Sequence, residues 1–454
     1  MGKGKEKETL TPEERLQAAL VSENEQPYKV PENWCWTRIV KLCSLSNGKA
    51  FKPTDWSKTG IPIVRIQNLN NPEAEYNLYS GTVEDKFRLC GGELLFAWSG
   101  TPGTSFGAHI WWGKEAALNQ HIFRVDFDEK YINKVYFKYA INQQLDMLIS
   151  VAHGGAGLQH VTKGVFEATP IPIPPFAEQQ RIVDRIESLF AKLDEAKQKA
   201  QDVLDSFETR KAAILHKAFT GELTKQWRKE HGVGMESWEK KTLQSVCSMK
   251  ITDGTHKTPT YCNKDEGIPF ISAKDVTTGK ICWDNIKYIT PALHKELYAR
   301  LAPQIDDVLL AKNGTTGIAA IVETDMVFDL YVTLAVLRPD QKIILPRYLL
   351  NIVNSPLCKD QFNDHLTGIG VPNLHLRDIK AIVIKVPSIL EQIKIVRILD
   401  DLLAKEQQAK EAAEKVLKQI DLIRKAILAR AFRGELGTND PNEESAVELL
   451  KNMI

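Results

Sequence analysis

The residues able to perform chemistry in this chain are scattered, and the common catalytic arrangements fail together. No Gly-x-x-x-x-Gly-Lys-Ser/Thr loop is present to cradle phosphates, and no His-Glu-x-x-His helix to hold zinc. The Gly154-Gly-Ala-Gly157 run lacks the spacing of a dinucleotide fingerprint, and there is no Asn-Pro-Pro-aromatic tetrapeptide. Carboxylates never cluster with lysine as a nuclease metal site requires, and the ten histidines are dispersed. An active site would need His109, His121 and Asp126 to converge in space. What stands out instead is a set of polar loops beside glycine: Thr252-Asp-Gly-Thr-His-Lys257, Lys312-Asn-Gly-Thr-Thr316 and Ser99-Gly-Thr101. Their hydroxyls, amides and ammonium groups suit recognition by hydrogen bonds and charge rather than bond breaking.

The elements that position these loops occur twice. Glu178-Gln-Gln-Arg-Ile-Val183 returns as Glu391-Gln-Ile-Lys-Ile-Val396, 213 residues later. Lys211-Ala-Ala-Ile-Leu-His-Lys-Ala-Phe-Thr-Gly-Glu-Leu223 returns at the same offset as Arg424-Lys-Ala-Ile-Leu-Ala-Arg-Ala-Phe-Arg-Gly-Glu-Leu436. A repeat this long implies two copies of one unit related by a pseudo-two-fold axis. Fainter matches join the segments between: Trp34 with Trp238, Gly60-Ile-Pro-Ile-Val-Arg65 with Gly267-Ile-Pro-Phe-Ile-Ser272, Glu93–Thr101 with Asp307–Thr315, and Gly155-Ala-Gly157 with Gly368-Ile-Gly370. Short apolar runs bounded by Gly, Pro and Asn predict strands there. Ala168-Thr-Pro-Ile-Pro-Ile-Pro-Pro175 must be extended, because each proline disfavours helix in its predecessor.

Two long helices follow these segments. In the first, apolar or small residues alternate at four and three: Ile182, Ile186, Leu189, Leu193, Ala196, Ala200, Val203, Phe207, Arg210, Ile214, Lys217. The second repeats the seam at Ile395, Leu399, Leu402, Glu406, Ala409, Ala413, Val416, Ile420, Ile423, Ile427, Arg430. A helix of about 41 residues is ~60 Å long, and neither can bury its seam alone, so the pattern predicts an antiparallel pair. Alanines at the waist permit close approach, and Gly221 and Gly434 mark the ends. Thr11-Pro-Glu-Glu14 predicts a helix start near the N-terminus, and residues 445–450 a short helix near the other end.

With 454 residues, 43% hydrophobic and 26% charged, the chain should fold as more than one globular domain. The formal net charge of +1 selects no partner. Seven cysteines without a Cys-x-x-Cys spacing argue for reduced thiols. No apolar run reaches a membrane span, and the charged Met1–Glu8 stretch has no secretory core, so the cytoplasm is expected.

The duplicated order resembles the specificity subunit of type I restriction–modification systems: a variable domain, a proline-containing approach to a Glu-Gln-x-x-Ile-Val helix, and an Ala-Phe-x-Gly-Glu-Leu ending. Pro175-Phe-Ala-Glu-Gln179 and Ala218–Leu223 are similar to its central conserved region, Glu391-Gln392 and Ala431–Leu436 to its distal one. Thr252-Asp-Gly-Thr-His-Lys-Thr-Pro259 resembles a stretch of its target-recognition domains. One departure is Pro387-Ser-Ile-Leu-Glu391, one residue longer than Pro175-Phe-Ala-Glu178.

The resemblance implies an α+β fold of two pseudo-symmetric, mostly-β recognition domains separated by two long antiparallel coiled-coil helices. The expected limits are 1–25 for an N-terminal helical extension, 26–175 and 235–386 for the two recognition domains, 176–234 and 387–437 for the central and distal helical regions, and 438–454 for a tail. It further implies a non-catalytic subunit that binds a bipartite double-stranded DNA site, with the helix pair setting the spacer. Two methyltransferase subunits would carry S-adenosylmethionine, restriction subunits would use ATP and magnesium, and this chain would hold no cofactor. The alternative is a tandem-domain protein-interaction adaptor that binds no DNA.

On that reading, candidate DNA contacts in the first domain are Lys49, Lys52, Lys58, Arg65, Gln67, Asn68, Ser99, Thr101, Asn119, Gln120 and His121. In the second they are Thr252, Gly254, Thr255, His256, Lys257, Lys274, Lys312, Asn313, Thr315 and Thr316. Arg and Lys match guanine, Asn and Gln match adenine, and hydroxyls, amides and cations serve phosphate. Asp253 is expected to orient its turn, and Trp56 and Trp98 to pack in the core.

Overall fold

The computed structural model describes residues 11–71, 73–100, 106–155, 158–366 and 372–454. The chain forms two compact units. Residues 1–198 and 416–454 make the first, and residues 199–415 the second. The division cuts both long helices, so each unit contains the start of one helix and the end of the other.

The main sheets of the two units use corresponding strands in the same order, while unit 1 adds Arg88–Leu89 to its second sheet and a small third sheet. In unit 1 a four-stranded antiparallel sheet runs Ser44–Asn47, Ile122–Asp126, Glu93–Ala97, Gly107–Trp111. In unit 2 the order is Thr252–Asp253, Leu334–Leu337, Val308–Ala311, Ala319–Ile321. A second sheet centres on Ile61–Val64, antiparallel to Asn77–Tyr79 and parallel to Ala116–Leu118. Its counterpart centres on Ile268–Ile271, antiparallel to Lys287–Ile289 and parallel to Asp329–Leu330. One face of each four-stranded sheet carries a helix: Lys134–Gln143 in unit 1, Pro346–Val353 in unit 2. The expected α+β class is the one observed.

A two-stranded ribbon leads from each domain into its helix. Cys35–Arg38 pairs with Pro170–Ile173, and Glu239–Thr242 with Val383–Val386. The extended course of the proline run follows from its sequence. Tyr136 donates its hydroxyl to the Pro172 carbonyl, and Tyr348 does the same to the Lys385 carbonyl, each at 2.8 Å.

The repeated Glu-Gln pair explains itself here. Glu178 is fully buried and accepts the Trp34 indole N–H at 2.7 Å. Glu391 accepts the Trp238 indole N–H at 3.0 Å. Gln179 accepts the Asn133 N–H and donates to the Tyr131 and Pro174 carbonyls. Gln392 accepts the Leu345 N–H and donates to the Ile343 and Pro387 carbonyls. One amide side chain thus closes the same three backbone groups at the foot of each helix, groups that would otherwise be buried without partners.

The helices pair antiparallel within each unit. In unit 2, Lys410 lies over the Phe207 ring at 4.7 Å and Arg210 meets Glu406 at 2.7 Å, so one number falls as the other rises. In unit 1, Arg424 covers Phe190 at 4.7 Å and pairs with Asp194. The expected seam needs correction in the second helix, Ile389–Ala431. Ala409, Val416, Ile423 and Arg430 are exposed, whereas Lys410, Leu417, Arg424 and Ala431 turn inward by one position. The ammonium of Lys410 and the guanidinium of Arg424 lie over aromatic rings and carry the seam where apolar residues were expected. The first helix is not continuous either. It runs Phe176–Asp205 and resumes at Phe207–Phe219, and at the interruption the Ser206 hydroxyl turns back onto the Asp202 carbonyl. Gly221 (φ +81°) and Gly434 (φ +72°) end the helices in the left-handed region, as their positions predict.

The helix ends dock equivalently. Phe432 packs on Tyr136 in unit 1 and Phe219 on Tyr348 in unit 2. Near the N-terminus, Pro12–Ala19 is a helix capped by Thr11 and Glu14. It packs with the tail helix Ala446–Lys451, and Arg15 donates to the Ile454 carbonyl oxygen at 3.3 Å. All seven cysteines are free. No described helix is long and apolar enough to cross a membrane.

The buried carboxylates differ in their counter-charges. Arg228 pairs with Glu391 at 2.7 Å, with both side chains buried, and also donates to the Gly221 carbonyl. Removing one partner of such a pair strands a charge. Arg228→Ala should destabilise unit 2 by roughly 3–5 kcal/mol, and adding Glu391→Gln should restore part of that loss; urea unfolding followed by circular dichroism measures both.

Candidate nucleic-acid interface

At the ends of the sheets, the same backbone bonds bring the same loops together in both units. In unit 1 the Lys49 N–H bonds the Leu118 carbonyl, and the Gln120 N–H bonds the Lys49 carbonyl. In unit 2 Thr255 bonds the Leu330 carbonyl, and Val332 bonds Thr255. Trp98 N–H reaches the His121 carbonyl, as Lys312 N–H reaches Thr333. Val161 N–H reaches the Trp98 carbonyl, as Leu374 reaches Lys312. Each unit therefore gathers four strand-end loops through main-chain hydrogen bonds. The side chains on them can differ without disturbing the gathering.

In unit 1 the loops surround a cavity of about 150 Å³ lined by Phe51, Trp56, Ile63, Arg65, Asn119, Gln120 and His121. Four sequence-selected residues, Arg65, Asn119, Gln120 and His121, are thereby brought together. The Arg65 guanidinium lies 5.8 Å from the Trp56 ring, within cation–π range. Lys49 stands nearby over the Phe51 and Tyr79 rings, with its ammonium 3.3 Å from the Tyr79 hydroxyl. Trp56 is exposed rather than in the core, where it was expected. Trp98 is half-buried and stacks on Phe123 at 5.5 Å.

His121 has φ +77°, the left-handed region that a β-carbon disfavours. It stacks with His160 at 6.3 Å beside Trp98, and the Nδ1 atoms of both imidazoles are buried without hydrogen-bond partners. Burial first, and the neighbouring His160 second, hold the His121 pKa below its usual value. His109 is also lowered, by burial and then by Lys138.

Other candidates have different surroundings. Asn68 is buried; it accepts the Arg65 N–H at 3.1 Å and donates to the Ala74 and Glu75 carbonyls, so it builds the loop that carries Arg65. Asp275 takes its place in unit 2, accepting the Ser272 N–H at 2.8 Å. Ser99 is buried opposite His160 in a small sheet. Lys52, Lys58 and Gln67 are exposed. Thr101 lies outside the described residues.

In unit 2, Lys312 is buried against Asp253 at 3.2 Å, and Asp253 also meets His256 at 3.2 Å. Asp253 orients the turn, as its position suggested. Gly254 approaches the Leu330 carbonyl so closely that a β-carbon would sit 2.1 Å from it. Thr255 is buried with its hydroxyl accepting the Lys257 N–H at 3.1 Å. Thr252 is half-buried in the sheet. His256, Lys257, Lys274 and Thr315 are exposed, Asn313 and Thr316 half-exposed. Lys257 pairs with Glu296, and Lys274 is 3.8 Å from Asp275.

Sequence reasoning missed Tyr331 and Thr333, the counterparts of Asn119 and His121; an offset of 212 residues from Asn119 would have found them. Asp126 pairs with Arg124 at 2.9 Å, and among the described residues no group of three His, Cys, Asp or Glu could hold a metal.

The model of the type I restriction modification DNA specificity domain matches residues 31–204 and again 235–419. The chain belongs to this family. It carries the domain twice, and its two copies are the two halves read from the sequence repeat. The chain is 25% identical over 420 residues to the type I restriction enzyme EcoBI specificity subunit of Escherichia coli, covering 90% of this chain and 87% of that one. It is 24% identical over 440 residues to the EcoKI specificity subunit of Escherichia coli strain K12, covering 90% of each. The MjaVIII specificity subunit of Methanocaldococcus jannaschii is 26% identical over 406 residues, covering 86% of this chain and 92% of that one. Among solved structures, the HsdS subunit from Thermoanaerobacter tengcongensis shares the fold, with a TM-score of 0.62, 18% identity, and coverage of 91% of this chain and 100% of that one. A second, from a study of complex assembly and conformational transition of the type I R-M system, has a TM-score of 0.64, 20% identity, and coverage of 90% and 100%.

Because the folded pKa values of His109 and His121 lie below the ordinary value of about 6.5, the unfolded chain takes up protons first as pH falls. Stability is full above that value and declines below it. Thermal melts between pH 7.5 and 5.5 should show this decline, and His121→Asn, which tolerates positive φ, combined with His109→Gln, should flatten it.

Proposed function

We propose that the chain is the non-catalytic reader of a two-part duplex DNA site, each loop cluster contacting one half. The observation that carries this reading is the loop-gathering backbone network, shared bond for bond while the side chains upon it diverge. Such a framework suits two different half-sites held by one scaffold. In unit 1, Arg65 is the candidate guanine reader, with Asn119 and Gln120 suited to adenine. In unit 2 His256, Lys257, Asn313, Thr315 and Thr316 surround the turn fixed by Asp253 and Lys312. Exposed Lys52, Lys58 and Lys274 suit phosphate.

On this reading the helix pair sets the gap between half-sites. Methyltransferase subunits dock on the chain and supply S-adenosylmethionine, and restriction subunits supply the ATP- and magnesium-dependent steps. The adenine is flipped into a partner, so this chain needs no cofactor. Work on a genome places it in the cytoplasm. The membership of the specificity family supports DNA as the target, and nothing in either unit favours a protein-only adaptor.

Mapping methylated adenines in cells carrying the full complex gives both half-sites and their gap. Arg65→Ala should relax one position of one half-site at a cost of about 1–3 kcal/mol. Lys58→Ala should weaken binding to all duplexes alike and flatten the salt dependence by about one phosphate. Deleting four residues, about one turn, from each long helix should change the gap and leave the bases unchanged; altered bases with an unchanged gap would refute the spacer role.

A further inference from the structure

The two units differ at one face of the ribbon, which is plugged in unit 1 and open in unit 2. In unit 1 the outer face of the ribbon carries Trp36, opposite Pro172 and only 2% exposed. Tyr28 lies edge-on to it at 4.9 Å, and the Arg433 guanidinium lies 5.4 Å from the Tyr28 ring. The two aromatic rings close this face.

The register of the repeat here is 204 residues: the Trp34 N–H bonds the Pro31 carbonyl as the Trp238 N–H bonds Met235. Trp36 therefore corresponds to Lys240, which is opposite Lys385 as Trp36 is opposite Pro172. Tyr28 corresponds to Gly232, so the second ring is missing altogether. At the helix end, Thr220 stands where unit 1 has Arg433. The result in unit 2 is a cleft of about 320 Å³ with Phe219, Ile352, Leu357 and Ile384 in its wall and Lys240 and Lys385 at its rim. Val383 beside it is 45% exposed. The main chain offers no strand partner here, because Gln361 donates to the Val383 carbonyl at 2.9 Å and accepts its N–H at 3.0 Å.

We propose that this cleft is a docking site for a segment of a partner protein that presents an aromatic ring flanked by carboxylates. The ring takes the volume that Trp36 and Tyr28 fill in unit 1, and the carboxylates meet Lys240 and Lys385. An apolar cavity of about 150 Å³ already accepts benzene, so the space here holds an indole. A buried aromatic anchor with a charged rim is the form that binding hot spots take. The site is remote in chemistry from DNA reading and stands whether or not the proposed half-site assignments do.

The test uses the full chain and a synthetic probe, acetyl-Glu-Asp-(5-fluoro-Trp)-Asp-Glu-amide, followed by fluorine NMR. Two controls replace the ring by alanine, with a fluorinated N-terminal label, or the acids by lysines. The expected result is at least tenfold tighter binding of the acidic aromatic probe than of either control. Lys240→Trp, which restores the unit 1 plug, should abolish binding while leaving duplex binding unchanged. Lys240→Glu with Lys385→Glu, two exposed positions that leave the fold intact, should reverse the preference toward the lysine probe. Equal binding of the aromatic and alanine probes, or an acidic-probe preference that survives the double charge reversal, would overturn the proposal. So would the absence of binding at millimolar probe.

Discussion

A buried carboxylate at the foot of each long helix is the constraint on which both units depend. Glu178 and Glu391 each accept an indole N–H from the residue just before the domain's first strand, tying helix to domain at one atom pair. A buried carboxylate is costly unless hydrogen-bonded and compensated, and the two units compensate differently. Glu391 has a direct ion pair with Arg228. Glu178 has the Thr438 hydroxyl at 3.2 Å, while its neighbour Arg181 is held by Glu443. Burial accordingly pushes the Glu178 carboxyl above its ordinary range, against the pull of its hydrogen bonds. The glutamine beside each carboxylate closes the surrounding main-chain groups, so the two residues of the pair divide the joint between them.

With the joint fixed, the domains are free to vary where it matters for recognition. The loop-gathering bonds run between backbone atoms, and the residues that build them by side chain are few: Asn68 in one unit, Asp275 in the other. That is why Arg65 can face Ser272 across the repeat, and Trp98 can face Lys312, with no change in the path of the chain. The left-handed φ of His121 marks the one place where a loop holds a strained non-glycine residue at the cavity wall.

Much of this was legible in the residues alone. The Glu-Gln-x-x-Ile-Val and Ala-Phe-x-Gly-Glu-Leu repeats located the helix feet and ends, because indole, carboxylate and glycine each have one structural use there. The proline run predicts the extended approach to the helix, and its pairing with Cys35–Arg38 is seen only in the fold. The seam of the second helix departs from the apolar pattern at every second position from Ala409 onward, since the charged ends of Lys410 and Arg424 sit over rings and apolarity does not register that. The break at Ser206 depends on a hydroxyl choosing a backbone partner, which sequence leaves open. Loop candidates such as Asn68 and Lys312 are polar in sequence but inward in the fold. Only the main-chain pairing of Lys49 with Leu118, and of Thr255 with Leu330, shows which polar residues share a surface.

The division of the helices between units also sets an order of assembly during synthesis. Unit 2 is a continuous stretch, 199–415, and every residue it needs has been made before the chain is finished. Unit 1 begins first but waits for 416–454, which carry Phe432, Thr438 and the tail helix. Domains emerging from the ribosome ordinarily fold from the N-terminus. Here the half translated first is the half completed last, so its exposed apolar surface must survive the time taken to make the other.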